Sequence, residues 1–239
     1  MPEPQISVSV VSHGQNALAA QLLSDLGEHC RGEVRAVVTE NVPDPASLAA
    51  PAAYPVEIVR NSAPKGFGAN HNAAFARCAT PFFCVVNPDI RLKSNPFPRL
   101  RAALDAERAG VAGPLVRSPA GKVEDSARRY PTAASLLRKL FVPASGPDYP
   151  TDGRRLEVDW VAGMFMLFRS EVFRAVHGFD EAYFLYYEDV DICRRLRRAG
   201  YGVAYAPDAE VVHDARRASR RDLSHMRHHA ASIVRFLLR

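Results

Sequence analysis

Phe82 to Asp89 reads FFCVVNPD, and no other stretch restricts the possible folds of this chain so tightly. Five apolar residues run unbroken into Asn-Pro-Asp, the pattern of a strand buried on both faces that ends at a polar crevice. Bounding prolines at 81 and 88 suit a central parallel strand better than a helix, because Pro88 cannot donate to a sheet ladder and stops the strand there. Asp89 is thereby expected at the carboxyl end of a sheet, where open α/β folds place their ligands. A carboxylate in that position suits a hard divalent cation bridging phosphates. The plain alternative is a loop aspartate that caps the following turn.

The surrounding chain supports such a sheet. Ile6 to Ser12 alternates as a first strand, Asn16 to Leu26 has helical spacing and meets Gly27, and Glu33 to Thr39 and Val56 to Val59 read as further strands. Strands and a helix at these intervals imply an α/β fold, a mainly parallel central sheet flanked by helices with its ligands along one edge. Further on, Phe97 to Ala109 reads as a helix and Val111 to Val116 as a strand. Val158 to Arg169 reads as one buried strand, and Tyr201 to Ala206 with Glu210 to Val212 as the last ones. Between them, 128–155 is punctuated by prolines around Leu136, Leu137, Leu140 and Phe141, and predicts a functional flap.

At 239 residues the chain can bury one sizeable core, and 47% apolar with 24% charged residues is ordinary globular composition. No apolar run approaches a membrane span, and MPEPQISVSVVS lacks the features of a secretory signal, so a cytoplasmic location is expected. Cys30, Cys78, Cys84 and Cys193 have no Cys-x-x-Cys spacing and read as reduced structural thiols. The net charge of +5 is concentrated as arginines at 194–198 and 216–239. No nucleic-acid-binding fingerprint accompanies them, which favours an anionic lipid or a phosphorylated substrate as the partner of a basic face.

Two further stretches carry chemistry. Asn61 to Asn72 places Lys65, Gly66, Phe67 and Gly68 at the start of a helix, where free N–H groups and the positive dipole end favour an anion; a tight turn with a well-capped helix is the other reading. The spacing is neither that of an ATPase loop nor of a dinucleotide fingerprint. Glu188-Asp189-Val190-Asp191 puts three acids within four residues after Tyr183, Tyr186 and Tyr187. Acids in a first helical turn with arginines later match the helix dipole, yet crowding them costs energy unless something offsets it or one acid is kept as a base. His213 ends the last strand much as Asp89 ends its own. From Arg220 the tail predicts a basic amphipathic helix, docked on its own core, in a homodimer or on a membrane surface.

Taken together, Lys65 to Asn72, Asn87-Pro88-Asp89, Trp160 to Phe168, Gly178-Phe179-Asp180-Glu181 and Tyr187 to Asp191 resemble glycosyltransferase family 2, the inverting transferases of GT-A fold, and within it the rhamnosyltransferase-like branch. The resemblance runs from about Ser7 to Ser219. It implies one GT-A domain over 1–219, with a donor half at about 1–95 and an acceptor half at about 96–219, followed by the helix 220–239. It implies that Asp89 and His213 hold Mn²⁺ or Mg²⁺ on the donor diphosphate. Asp189 would be the general base, sharing its acid cluster with Glu188 and Asp191. Ser12, Glu40, Lys65, Gly66, Phe67, Asn72, Asn87 and Trp160 would lie on the donor side. The implied donor is a nucleoside-diphosphate sugar, dTDP-rhamnose in this branch, and the acceptor a cell-surface glycan or a lipid-linked one. Asn87 stands where the family's motif has its first aspartate, and Glu40 where it has an aspartate. A non-catalytic nucleotide-sugar or glycan-binding subunit is the second reading. A sugar nucleotidyltransferase ranks behind both, since Ser12-His13-Gly14-Gln15 is not the loop it would need.

Overall fold

A computed structural model describes residues 3–48, 53–132, 146–214, 229 and 231–236. Its main sheet runs in the order β3 (Val56–Arg60), β2 (Val34–Val42), β1 (Ile6–His13), β4 (Phe82–Val86), β11 (Phe165–Arg169), β6 (Ala109–Arg117), β12 (Gly202–His213), β5 (Ile90–Arg91). From β3 to β4 every pairing is parallel. β11 then inserts antiparallel between β4 and β6, and β12 returns parallel to β6. β7 (Val123–Glu124) and β9 (Leu156–Glu157) extend this sheet, while β8 (Ala127–Arg128) and β10 (Trp160–Val161) form a separate two-stranded ribbon.

β4 behaves as its composition demands. Cys84 and Val86 face one apolar layer, with α1 (Asn16–His29) and α3 (Phe97–Ala106). Phe83 and Val85 face the other, with α2 (Phe67–Phe75), α4 (Ser170–Ala175) and α5 (Glu188–Arg198). The period of two along a strand puts alternate side chains into each layer, so an unbroken apolar run is the only solution for a strand covered on both sides.

Several expected boundaries move for identifiable reasons. α1 continues past Gly27 to His29; a Cβ at Gly27 would lie 3.3 Å from the Tyr54 ring, so this glycine admits a neighbour and does not end the helix. The stretch expected as one strand over 158–169 is broken into β10 and β11 by a turn at Ala162-Gly163-Met164. Ser170 is the first residue of α4 and makes no side-chain cap. The two last strands are one, β12, with a register shift between Ala206 and Glu210. The middle of the expected flap, 133–145, lies outside the described residues; on either side of it the Arg129 N–H donates to Asp148 Oδ2 at 3.0 Å, and Tyr149 is held by the Asp159 N–H on its hydroxyl at 3.0 Å.

Most of the expected C-terminal helix is likewise outside the described residues. The described part, 229 and 231–236, docks on the chain's own core. Ser232 Oγ donates to the Leu185 carbonyl at 3.0 Å, and the Arg194 guanidinium lies 3.9 Å from the centroid of the Phe236 ring. No helix among the described residues is long and apolar enough to cross a membrane.

Candidate active site

Strand direction decides which residues can meet. β1, β2 and β4 run parallel and end at one edge, which receives Ser12, Glu40, Asn87 and Asp89. β11 runs the other way, so its start, next to Gly163, lies at that edge as well. β6 and β12 run with β4 again and bring His213 there. Asn87 continues the β4–β11 ladder by donating its N–H to the Met164 carbonyl at 3.0 Å.

Asp89 and His213 are neighbours, with Nε2 of the imidazole 3.2 Å from Asp89 Oδ2. The other ring nitrogen, Nδ1, is 2.6 Å from Glu124 Oε2, and Glu124 had no signal in the sequence. Burial alone would lower the His213 pKa, but the hydrogen bonds to Asp89 and Glu124 outweigh it and raise the value to about 9. Asp89 Oδ1 is buried without a hydrogen-bond partner. An orphaned carboxylate oxygen beside an imidazole is a donor set that fits a divalent cation. No group of three or more such ligands converges among the described residues. The geometry explains this, because the imidazole stands between the two carboxylates and its nitrogens point away from each other.

The three acids of the next cluster are accommodated in three different ways. Asp191 is buried and accepts from Arg195 Nε at 2.7 Å, one helical turn on; Arg195 in turn donates to the carbonyls of Val176 and Gly178. That pairing turns Asp191 toward the 176–178 turn, which Arg195 holds, and sets it apart from Glu188 and Asp189. Glu188 is buried with Oε2 unpartnered, and burial, with the charge of Asp189 beside it, pushes its pKa up to about 8. Asp189 is also raised by burial, but it accepts the Gly163 N–H at 2.9 Å and the Val190 N–H at 2.8 Å, and the Arg128 charge draws it back down. A carboxylate that burial makes more basic than usual, and that two N–H groups hold in place, is suited to accept a proton. Tyr186 and Tyr187, just before it, both have φ of 70°, a left-handed conformation that non-glycine residues adopt at a cost.

Because Glu188 keeps its proton in the folded chain up to about pH 8 and releases it near pH 4.5 when unfolded, folding is progressively disfavoured as pH rises between those values. Glu188→Gln removes that penalty. Its melting temperature is expected to exceed that of the parent by several degrees at pH 8, with the gain shrinking toward zero near pH 4.5. A pH series of thermal melts checks this; a gain that does not vary with pH contradicts it.

On the donor side, side chains already hold one another. Ser12 Oγ donates to Asn16 Oδ1 at 2.6 Å, and Asn16 Nδ2 donates to Glu40 Oε1 at 2.7 Å. Arg60 closes on Glu40 Oε2 at 2.5 Å. The main chain of Lys65 is fixed by Asn41 and Asn70, which Asn61 links. Asn16, Asn41, Asn61 and Asn70 were not singled out in the sequence, although their amides carry this network.

The start of α2 differs from the open anion cradle expected. Phe67 gives its N–H to the Phe184 carbonyl at 3.0 Å, and a Cβ on Gly66 would sit 2.7 Å from that oxygen. A Cβ on Gly68 would likewise sit 2.8 Å from the Phe179 side chain, so both glycines are small because the 179–184 loop lies on them. Asn72 fastens the same loop: its Nδ2 donates to the Phe179 carbonyl at 2.9 Å and to Glu181 Oε1 at 3.0 Å, and its Oδ1 accepts the Phe179 N–H at 2.9 Å. Gly178 precedes that clamp with φ of 64°. Asn72 therefore positions the Gly-Phe-Asp-Glu turn.

Trp160 is buried, with Nε1 donating to the Arg129 carbonyl at 3.0 Å and its ring 5.1 Å beneath the Arg128 guanidinium. It supports the arginine whose charge reaches Asp189, a task that differs from the donor contact expected. A shallow hollow of about 510 Å³ lies over the outer face of α2, lined by Lys65, Gly66, Ala69, Asn72, Ala73 and Glu181. None of Asp89, Asp189 or His213 lines it, so size alone does not mark the chemistry. The carboxyl edge of the sheet has the orphaned Asp89 oxygen, with Glu188 and its own orphaned oxygen next to Asp189, and it is the better candidate.

The model of a family described as "Glycosyltransferase like family 2" matches residues 4–230. An N-acetylglucosaminyl-diphospho-decaprenol L-rhamnosyltransferase of Mycobacterium tuberculosis is 39% identical over 170 residues, 64% of this chain and 53% of the relative. The rhamnosyltransferase WbbL of Escherichia coli is 31% identical over 186 residues, 73% of this chain and 70% of the relative. The chain thus spans about half the length of the mycobacterial protein. Among solved structures, GalNAc-T7 with UDP, GalNAc and Mn²⁺ superposes with a TM-score of 0.67 at 12% identity, over 89% of this chain and 43% of that one. The mannosyltransferase PcManGT of Pyrobaculum calidifontis with GDP-Man and Mn²⁺ superposes with a TM-score of 0.61 at 16% identity, over 98% of this chain and 65% of that one. Both likenesses concern the GT-A fold.

Proposed function

The chain belongs to glycosyltransferase family 2, and from that premise we propose that it transfers a sugar, with inversion, from a nucleoside-diphosphate donor to an acceptor hydroxyl. The observation that carries this reading is that one sheet edge holds two separate acidic devices. One is a carboxylate kept basic, Asp189; the other is the Asp89–His213 pair with its orphaned oxygen.

In this reading Asp189 takes the proton of the acceptor hydroxyl as the oxygen attacks the anomeric carbon from the face opposite the leaving diphosphate. The Gly163 and Val190 N–H groups fix the carboxylate and oppose the rise that burial gives its pKa. Glu188, holding its own proton, spares Asp189 a second buried negative charge. Arg128 faces the same carboxylate and limits how far its pKa rises. Asp89 and His213 would hold a divalent cation, Mn²⁺ or Mg²⁺, which when bound carries the charge that develops on the departing diphosphate. The Ser12–Asn16–Glu40–Arg60 chain borders the donor side, where Glu40 or Arg60 is free to exchange its partner for the nucleotide. The names of the two relatives support rhamnose as the sugar, and that of the mycobacterial one its L form and a lipid-diphosphate-linked acceptor.

The anomeric configuration of the product tests the reading. With dTDP-rhamnose, Mn²⁺ and a lipid-diphosphate-linked N-acetylglucosamine, the new glycosidic bond is expected to have the configuration opposite to the donor's, read from one-bond C–H couplings by NMR. Retention would rule out a single-base displacement at Asp189.

A further inference from the structure

We infer that Glu124 is the positioning residue for His213, fixing which imidazole nitrogen faces Asp89. The inference rests on the reading of Asp89 and His213 as a cation site, and it concerns a residue that neither the family's motifs nor the strand-end pattern marks.

The main chain already pins His213. It pairs with Ile90 of β5, its neighbour Val212 pairs with both Arg91 and Arg117, and Asp214 donates its N–H to the Asp89 carbonyl at 2.8 Å. What the ladder leaves undetermined is the rotation of the ring and its tautomer. Glu124 settles both. β7 is held against β6 with Glu124 opposite Val116, through a tight connection in which the Ser118 N–H donates to the Lys122 carbonyl at 2.8 Å. That register brings Glu124 Oε2 to 2.6 Å from Nδ1.

An ionised carboxylate only accepts hydrogen bonds, so the nitrogen facing it must carry a proton. Asp89 Oδ2 faces Nε2 in the same way, but at 3.2 Å against 2.6 Å for Glu124 and Nδ1, so when the ring gives up one proton the more tightly held Nδ1–H stays and Nε2 is left with the lone pair. Glu124 itself lies on the far edge of the imidazole and does not share an ion with Asp89. A carboxylate behind a ligating histidine sets tautomer and ring orientation, and loss of such a partner typically weakens metal affinity 10–100-fold.

The test compares Glu124→Ala and Glu124→Gln with the parent chain by two readouts. Free Mn²⁺ is counted by electron paramagnetic resonance at saturating dTDP, and the His213 ring nitrogens are followed by ¹⁵N NMR without metal, at a pH where the ring is neutral. Glu124→Ala is expected to bind Mn²⁺ about 10–100-fold more weakly and to lose the Nδ1–H tautomer. Glu124→Gln, whose side-chain carbonyl still accepts from Nδ1–H, is expected to keep that tautomer and recover most of the affinity. Equal loss in both variants would make Glu124 a ligand in its own right and overturn the inference. An unchanged His213 tautomer in Glu124→Ala overturns it too. Absence of Mn²⁺ binding by the parent chain would instead defeat the cation reading, and the tautomer readout would still decide the role of Glu124.

Discussion

Asp189→Asn is expected to lower the rate of transfer by about 10³-fold or more, the scale of a lost general base, while donor binding stays within a few-fold of the parent. The amide cannot take the acceptor's proton. It also changes the local hydrogen bonding, since Asp189 accepts one N–H on each oxygen, from Gly163 and from Val190, and asparagine offers a single acceptor. One of those N–H groups then faces an NH₂ group, at a stability cost of about 1–3 kcal/mol. The variant must therefore be judged by calorimetric titration of the donor together with turnover. Loss of nucleotide binding along with transfer would mean that Asp189 holds the donor or the fold.

Asp89→Ala is expected to reduce metal-dependent donor affinity by about 100-fold or more, since even a residue behind a metal ligand is worth 10–100-fold. The backbone should survive the change, because the Asp89 carbonyl, which accepts from Asp214, remains in place. His213 keeps Glu124 on Nδ1 and loses the carboxylate that faces Nε2. With EDTA present, parent and variant should bind a nucleoside diphosphate equally weakly. A variant whose titration responds to Mn²⁺ as the parent does would remove Asp89 from the metal's surroundings.

These expectations depend on how the chain distributes its information. The strand-end residues were legible because an apolar run of period one, stopped by a proline, has few other places to go, and the parallel order of β1, β2 and β4 then aligns Ser12, Glu40 and Asp89. The Glu188–Asp191 helix was legible as a helix, but the roles within it were not. The i, i+4 pairing of Asp191 with Arg195 is visible in the sequence, whereas the N–H from Gly163, twenty-six residues away, that singles out Asp189 is not. Glu124 and Arg128 escaped notice because each sits in a strand of two residues, too short for any periodicity to declare. Asn72 was placed on the right helix, but its bonds to the turn after Gly178 were not legible, since only the fold reveals that this turn lies across it. Glycines at 66 and 68 raised an expectation of phosphate binding for a similar reason: room for a ligand and room for a neighbouring loop look the same in a sequence.

The most direct test is where a metal–nucleotide complex binds. Crystals of the chain soaked with Mn²⁺ and dTDP, and measured for manganese anomalous scattering, should show the ion in contact with Asp89 and His213, its diphosphate in the crevice that Asp189 borders. An ion bound elsewhere, or a nucleotide seated in the hollow over α2 between Lys65 and Glu181, would contradict the account.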